Sequence, residues 1–401
     1  MTSSTTLPAP EAHTDTRYRV LGAISLAHFL NDMMQSLILA LYPILKGNYQ
    51  LSFAEIGLLT LTYQCTASLL QPLVGHFTDR RPLPRALVLA MASTLLGLLL
   101  LAQATTLPAL LLAAALVGTG SAIFHPESSR VARLASGGRH GFAQSLFQLG
   151  GNGGTAAGPL LAALIILPGG QHSVGWFALA ALLAMIVLWP VGNWYRAHLA
   201  AQPKHPPTPR QPPLTAGHTR LALAALVALV IGKYTYMASL HSYYTFYLIQ
   251  HFALDAQSAQ LYLFAFLFAA AAGTLLGGPL GDRIGRRSVI WFSILGTIPF
   301  ALWLPYASLG GTLALSMVIG FILSSAFSAI LVFAQELVPG KVGTISGLFF
   351  GLAFGIAGLA AALLGWLADH WGIVAVYQGS AWLPLSGLIA LALPSLRQPL
   401  R

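Results

Sequence analysis

Apolar residues run in blocks of helical length along the whole chain, separated by short polar stretches. The blocks fall at roughly 20–45, 53–76, 86–105, 107–129, 141–167, 173–195, 220–250, 257–280, 288–306, 310–336, 342–368 and 372–394. Each is long enough to cross a hydrocarbon layer about 30 Å thick. They are continuous and rich in Ala and Leu, without the two-residue alternation of barrel strands, so the pattern predicts helices. The expectation is an all-α polytopic membrane protein with twelve transmembrane helices.

Composition narrows this further. Of 401 residues, 56% are hydrophobic and 7% charged. Soluble domains carry about 25% charged residues, so this chain lacks the material for a water-facing surface and is far too apolar for disorder. Twelve spans use about 240 positions, which leaves short connections and no room for a separate soluble domain. The single cysteine, Cys65, excludes an intramolecular disulfide and reads as a small packing residue. The polar segment 1–19 lacks the apolar core and small-residue cleavage site of a signal peptide, so the first span is expected to remain.

The net charge of +10 would suggest nucleic acid in a soluble protein. Its distribution gives another reason. Arg17, Arg19, Arg80, Arg81, Arg85, Arg130, Arg133, Arg139, Arg196, Lys204, Arg210, Arg220, Arg283, Arg286, Arg287, Lys341, Arg397 and Arg401 all fall on one side of a twelve-span topology. Only Lys46, in the opposite loops, and Lys233, inside a span, do not. Positive loops stay in the cytoplasm, so both termini are expected there, in a bacterial inner membrane, with no nucleic acid involved. The one long connection holds Pro203, Pro206, Pro207, Pro209, Pro212 and Pro213 and reads as an extended spacer. The domain reading is a cytoplasmic tail 1–19, a six-helix bundle 20–196, a Pro-rich cytoplasmic linker 197–219, a second six-helix bundle 220–396 and a tail 397–401.

The two bundles are repeats. A shift of 202 to 203 positions lays Gly75-His-Phe-Thr-Asp79-Arg80 on Gly278-Pro-Leu-Gly-Asp282-Arg283. The same shift lays the Gly141–Phe147 segment on Gly343–Phe349 and Asn31-Asp32 on Lys233-Tyr234. One shift serving separated landmarks indicates two parallel six-helix halves, an architecture that binds substrate between the halves at mid-membrane.

These residues carry a family resemblance. Gly278-x-x-x-Asp282-Arg283-x-Gly285-Arg286-Arg287 resembles the loop signature of the major facilitator superfamily. Its first copy departs after Asp79-Arg80, where the chain runs Arg81-Pro82-Leu83-Pro84-Arg85. In span 5, Gly154-x-x-x-Gly158-Pro159 is similar to the family's antiporter motif, without the small residues that follow the Pro. Within the superfamily, Ala27-His28-Phe29-Leu30-Asn31-Asp32, the stretch from Phe124 through Glu127 and Arg130 to Arg133, and the stretch from Gln144 to Asn152 resemble the fosmidomycin-resistance type of exporter. The resemblance implies the major facilitator fold and drug/proton antiport, with anionic phosphonates among the drugs.

The residues themselves supply candidate chemistry. Asp32 and Lys233 each lie 12 to 13 residues inside a span, about 18–20 Å deep at 1.5 Å per residue. A charge there costs about 2.5–3.5 kcal/mol, so both are expected to face water or a partner. They are read as facing each other across the cavity and titrating together, or else as a static ion pair. His28, Asn31 and Gln35 make one polar stripe with Asp32. His125, Glu127 and Arg130 flank Pro126. Glu127 and Arg130, at i and i+3, form a polar vestibule or an interfacial salt bridge. Glu127 joins Asp32 and Lys233 as a proton-coupling candidate, and no metal-ligand spacing is found. Gln144, Gln148 and Asn152 recur every four residues, to line a cavity or bond between helices. Tyr234, Tyr236 and His241 are substrate-binding candidates with the stripe, His125, Arg130 and Lys233, while Tyr243 and Tyr244 read equally as an interfacial belt. Asp79, Arg80, Gly278, Asp282, Arg283, Gly285, Arg286 and Arg287 are expected to gate the cytoplasmic side, with Asp–Arg pairs latching the halves or merely anchoring topology.

Lys233, Arg130 and His125 favour an anionic or zwitterionic small molecule. The reading is a proton-coupled exporter of toxic compounds, monomeric, with no cofactor beyond the proton gradient and no enzymatic activity. A nutrient symporter of the same fold is the first alternative. A membrane-embedded transferase is the second, and it would need a nucleophile–base pair or metal cluster, neither of which the sequence offers.

Overall fold

A computed structural model describes residues 15–51, 53–201 and 214–394. The expected tails and linker fall wholly or partly beyond these, as do Lys204, Arg210, Arg397 and Arg401, and the side chains of Lys46 and Pro159 are also outside the described set. No strand occurs among the described residues. The first half of the chain forms α1 (Tyr18–Tyr49), α2 (Phe53–Gln64), α3 (Leu70–Arg80), α4 (Ala86–Gln103), α5 (Leu107–Ala135), α6 (His140–Leu161) and α7 (Ala178–Ala200). The second half forms α8 (Ala216–Ser242), α9 (Tyr244–Phe252), α10 (Ala256–Ile284), α11 (Arg286–Leu295), α12 (Leu309–Ser324), α13 (Ala326–Leu337), α14 (Val342–Trp371) and α15 (Ile373–Ser380).

Among the described residues nine helices are long and apolar enough to cross a membrane, and they match nine of the expected spans. The other three expected spans, 20–45, 53–76 and 141–167, fall on α1, on α2 and α3 joined by a π-helical turn at Cys65–Leu69, and on α6 with its π-helical extension Ala162–Ile166. Cys65 is half-buried in the first of these turns.

Local chemistry explains the helix boundaries. Asp255 and Ser308 cap α10 and α12 by accepting from Ser258 N and Gly311 N. Gly285 and Gly372, at φ +91° and +80°, turn the chain between α10 and α11 and between α14 and α15, where only glycine is free of strain. Pro126 lies inside α5, which continues through it.

Burial is inverted relative to a soluble protein. Leu359 is 70% exposed and Phe268 65%, whereas Asp32, Glu127, Arg130 and Lys233 are all buried. Lipid solvates the outer leucines, and the polar groups must find partners inside. Glycines set the closest helix contacts. Gly154 and Gly158 of α6 lie against the Phe29 backbone and Ser36 of α1. The two halves meet along α3 with α14, where Gly75 abuts Gly343, and along α6 with α10, where Gly141 abuts Gly278. Small residues at these places let backbones touch.

Candidate substrate and ion-coupling site

The first polar cluster lies between α1, α5 and α6. Asp32 is bracketed by two imidazoles: His28 Nε2 is 3.2 Å from Oδ2 and His125 Nε2 is 3.4 Å from Oδ1. The two Nε2 atoms are 3.3 Å apart. Asn31 and Gln35 donate to Oδ1 at 2.9 and 3.4 Å. Gln35 in turn accepts from Tyr63 at 2.6 Å and Ser121 at 3.1 Å. Helical spacing builds this cluster. Residues 28 and 32 share one face of α1, residues 121 and 125 share one face of α5, and Gly151 of α6 leaves the space that His28 and Asp32 fill. His28, Asp32 and His125 are also close enough together to hold a metal ion, a juxtaposition that sequence spacing could not show because His125 comes from another helix.

Lys233 does not join this cluster. The sequence reading opposed it to Asp32, either across a cavity or as an ion pair. Among the described residues it has no carboxylate partner, and its Nζ instead lies 5.4 Å from the Tyr234 ring centre and 5.5 Å from that of Phe327. The repeat fixes equal depth for positions 32 and 233 but not equal partners. Close packing of α1 on α6 turns Asp32 toward the two histidines of its own half. Between the two charges stands an aromatic wall. His125 packs at 5.2 and 5.1 Å on Phe350 and Phe354 of α14, and Phe350 meets Phe327 edge-on at 5.3 Å. Tyr234 is edge-on to the same Phe327 at 5.7 Å.

The remaining candidates divide. Tyr236 is buried in a separate aromatic core with Tyr244, Tyr247 and Tyr377, away from the histidine cluster. His241 is exposed and lies edge-on to Phe266. Among the described residues no hydrogen bond or ring contact joins either of them to Lys233. Gln144 accepts from Ser129 at 2.9 Å, and Asn152 donates to Thr274 of the other half at 3.1 Å, so both bond between helices. Gln148 keeps a buried oxygen free of protein partners.

At the arginine-rich end, two carboxylates cross between the halves. Asp79, at the end of α3, accepts from Gly343 N at 2.9 Å, Thr344 N at 2.7 Å and Thr344 Oγ1 at 2.6 Å, at the start of α14. Asp282, at the end of α10, accepts from Gly141 N and Phe142 N at 2.9 Å, at the start of α6. Unpaired N–H groups and the helix dipole both favour a carboxylate there. Each Asp thus holds a helix start of the other half, whereas the adjacent Arg80 and Arg283 are exposed. The arginines that do reach them differ between copies. Arg130 of α5 binds both Asp79 and Glu127, the latter at 2.7 Å, and donates to Thr78 O at 2.7 Å. Arg286 binds Asp282 at 3.0 Å and Glu336 at 3.2 Å, while Arg287 stacks over Trp291. Beneath them, Gln335 links Arg133, Ser129 and Ser346 across the halves. Sequence reasoning passed over Gln335, Ser346, Phe327, Phe350 and Phe354. An uncharged Gln or a Phe in an apolar run carries no signal until its neighbours are known.

The comparisons with known proteins agree with this geometry. The family model described as Major Facilitator Superfamily matches residues 24–245 and 226–400. The chain is 59% identical over 382 residues, 95% of its length and 94% of the other's, to the fosmidomycin resistance protein of Escherichia coli (strain K12). Its fold is similar to that of the human organic anion transporter MFSD10 (TETRAN), at TM-score 0.73 and 16% identity, covering 95% of this chain and 100% of that one. It is also similar to FucP in its outward conformation, at TM-score 0.71 and 15% identity, covering 94% and 98%. Cross-joined helix starts, a glycine-lined seam between two repeated halves and a family match over nearly the whole length together place this chain in the major facilitator superfamily.

Proposed function

We propose that this protein is a proton-driven antiporter that exports small anionic compounds, phosphonate antibiotics such as fosmidomycin among them, by alternating access. The observation that carries the reading is Lys233: a cation buried in the second half, without a carboxylate partner among the described residues, held only by aromatic faces. Such a group is stabilised by an incoming anion. The name of the 59% identical relative supports the phosphonate class. The substrate meets Lys233 beside Tyr234, with Gln148 as a further polar contact, while the coupling proton is carried on the Asp32 side of the aromatic wall. A proton and an anion attract, so antiport requires that the two be bound in different conformations. The closed arginine-rich end supports one of these, open on the opposite side. The segregated arginines support a bacterial inner-membrane orientation with both termini cytoplasmic, and the proton gradient is the only energy source required.

The test is uptake of fosmidomycin into inverted vesicles with lumenal pH followed. Antiport gives uptake into acid-loaded vesicles accompanied by proton efflux, while uptake with proton entry would mean symport. Lys233→Met is expected to abolish uptake with normal membrane insertion. Uptake by that variant at the native level would refute the reading.

A further inference from the structure

His28, Asp32 and His125 meet as three acceptors. His28 Nδ1 lies 2.7 Å from Phe147 O, and His125 Nδ1 lies 3.0 Å from Ser121 O. A carbonyl oxygen only accepts, so each Nδ1 directs its hydrogen to the backbone and each Nε2 turns a lone pair inward. Metal-binding histidines are fixed in this way, one ring nitrogen tied to an outer acceptor and the other left for the ion. The carboxylate is oriented too, since Asn31 and Gln35 donate to Asp32 Oδ1 at 2.9 and 3.4 Å.

The spacing matches a tetrahedral ion. Ligand atoms 2.0–2.2 Å from such an ion stand about 3.3–3.6 Å from one another. Here the two Nε2 atoms are 3.3 Å apart, and they lie 3.2 and 3.4 Å from the nearer carboxylate oxygens of Asp32. The ring directions agree as well. Two imidazoles sharing one tetrahedral ion place their ring centres about 5.2 Å apart, and these centres are 5.1 Å apart. Three protein ligands leave a fourth position open. Beside it, the buried Asn31 Oδ1 is an acceptor with no partner among the described residues, and a metal-held water supplies the donor it lacks. No fixed cation occupies the place of the ion: Arg130 is held by Asp79 and Glu127, and Lys233 stands against Tyr234 and Phe327. The Asp32 side chain keeps 10% of its surface accessible, which gives the ion a way in.

We propose that His28, Asp32 and His125 bind one divalent d-block cation of the zinc class, and that the ion inhibits exchange by occupying the Asp32 carboxylate. Two imidazoles select such a cation over magnesium or calcium, which take oxygen ligands. The ion also ties α1, which carries His28 and Asp32, to α5, which carries His125. Inhibition rests on the proposed coupling role of Asp32, whereas the site itself does not.

The test therefore measures binding apart from transport. Protein without a polyhistidine tag, stripped with chelator and held in nanodiscs without substrate, should take up one Zn²⁺ per chain in a calorimetric titration, with Mg²⁺ unable to compete. X-ray absorption at the zinc edge should show two imidazole nitrogens at about 2.0–2.1 Å. Asp32→Asn and His125→Gln should each weaken binding by more than about 100-fold, beyond the loss that follows removal of an outer partner. His172→Gln, at an exposed histidine, should leave binding unchanged. In vesicles, Zn²⁺ at a concentration that saturates the site but lies far below that of fosmidomycin should abolish uptake, and chelator should restore it. Absence of zinc binding, a zinc environment without two imidazoles, or binding that survives both substitutions would overturn the site. The absorption spectrum of the native protein decides this even if a variant fails to fold. Zinc bound as described with uptake undiminished would overturn the inhibition. Absence of uptake under every condition, with the zinc site present, would count against the transport reading alone.

Discussion

Replacing Asp79 by Asn tests how the halves are latched. The Asp79 carboxylate accepts three hydrogen bonds from Gly343 and Thr344 at 2.6 to 2.9 Å and also binds Arg130. Hydrogen bonds to a charged acceptor contribute about 1.5–3 kcal/mol each, and a carboxylate at a helix start adds about 0.3–1 kcal/mol. Asp79→Asn keeps one acceptor oxygen, turns the other into a donor that opposes the helix N–H groups, and removes the charge. The closed arrangement should lose about 2–4 kcal/mol, a shift of about 30- to 1000-fold in the closed-to-open ratio. Thr344→Val removes only the hydroxyl bond, about 1.5–3 kcal/mol by the same measure, and should shift it by about 10- to 150-fold. The assay is pulsed electron spin resonance in nanodiscs on a Cys65→Ser background, with labels at Arg196→Cys and Ser288→Cys. Both positions are exposed and sit on different halves. Longer distances are expected for Asp79→Asn and, by symmetry, for Asp282→Asn. If Asp79→Asn left the distances unchanged while Asp282→Asn lengthened them, the first latch would carry no load and the reasoning would be wrong.

Two further outcomes follow from the same interface. Arg130→Met strands Glu127, which is 1% exposed, without its counter-charge, and should cost about 3–5 kcal/mol in a detergent thermal melt. Adding Glu127→Gln should recover part of that loss, and a single variant as stable as the double would contradict it. Gly75→Val places a side chain where the Gly343 backbone runs, so the folded protein should be unable to close its arginine-rich end; native label distances in that variant would show the seam is looser than described.

The candidate site was legible in part. Polar residues in apolar spans stand out because each costs free energy in lipid, so Asp32, His28, His125, Glu127, Arg130 and Lys233 declared themselves by type and depth. The Glu127–Arg130 contact was readable too, since i and i+3 on one helix are neighbours whatever the fold. Partners on different helices were not readable. Equal depth suggested that Asp32 should meet Lys233, but the side toward which a helix turns a residue is set by what packs against it. Here that is the glycine face of α6.

The internal repeat shows the same boundary from both sides. One shift aligned Asp79 with Asp282 and the segment at Gly141 with that at Gly343, and those four landmarks are the ones that meet, crosswise, at the arginine-rich end. Length, hydropathy and charge segregation by themselves determined a polytopic helical chain in two repeated halves, because lipid allows few ways to satisfy a backbone. Only the tertiary structure decided that Arg130, not a loop arginine, serves Asp79, and that the His28 and His125 imidazoles face each other beside Asp32. Those outcomes depend on angles of a few tens of degrees around helix axes, which packing fixes and sequence spacing does not record.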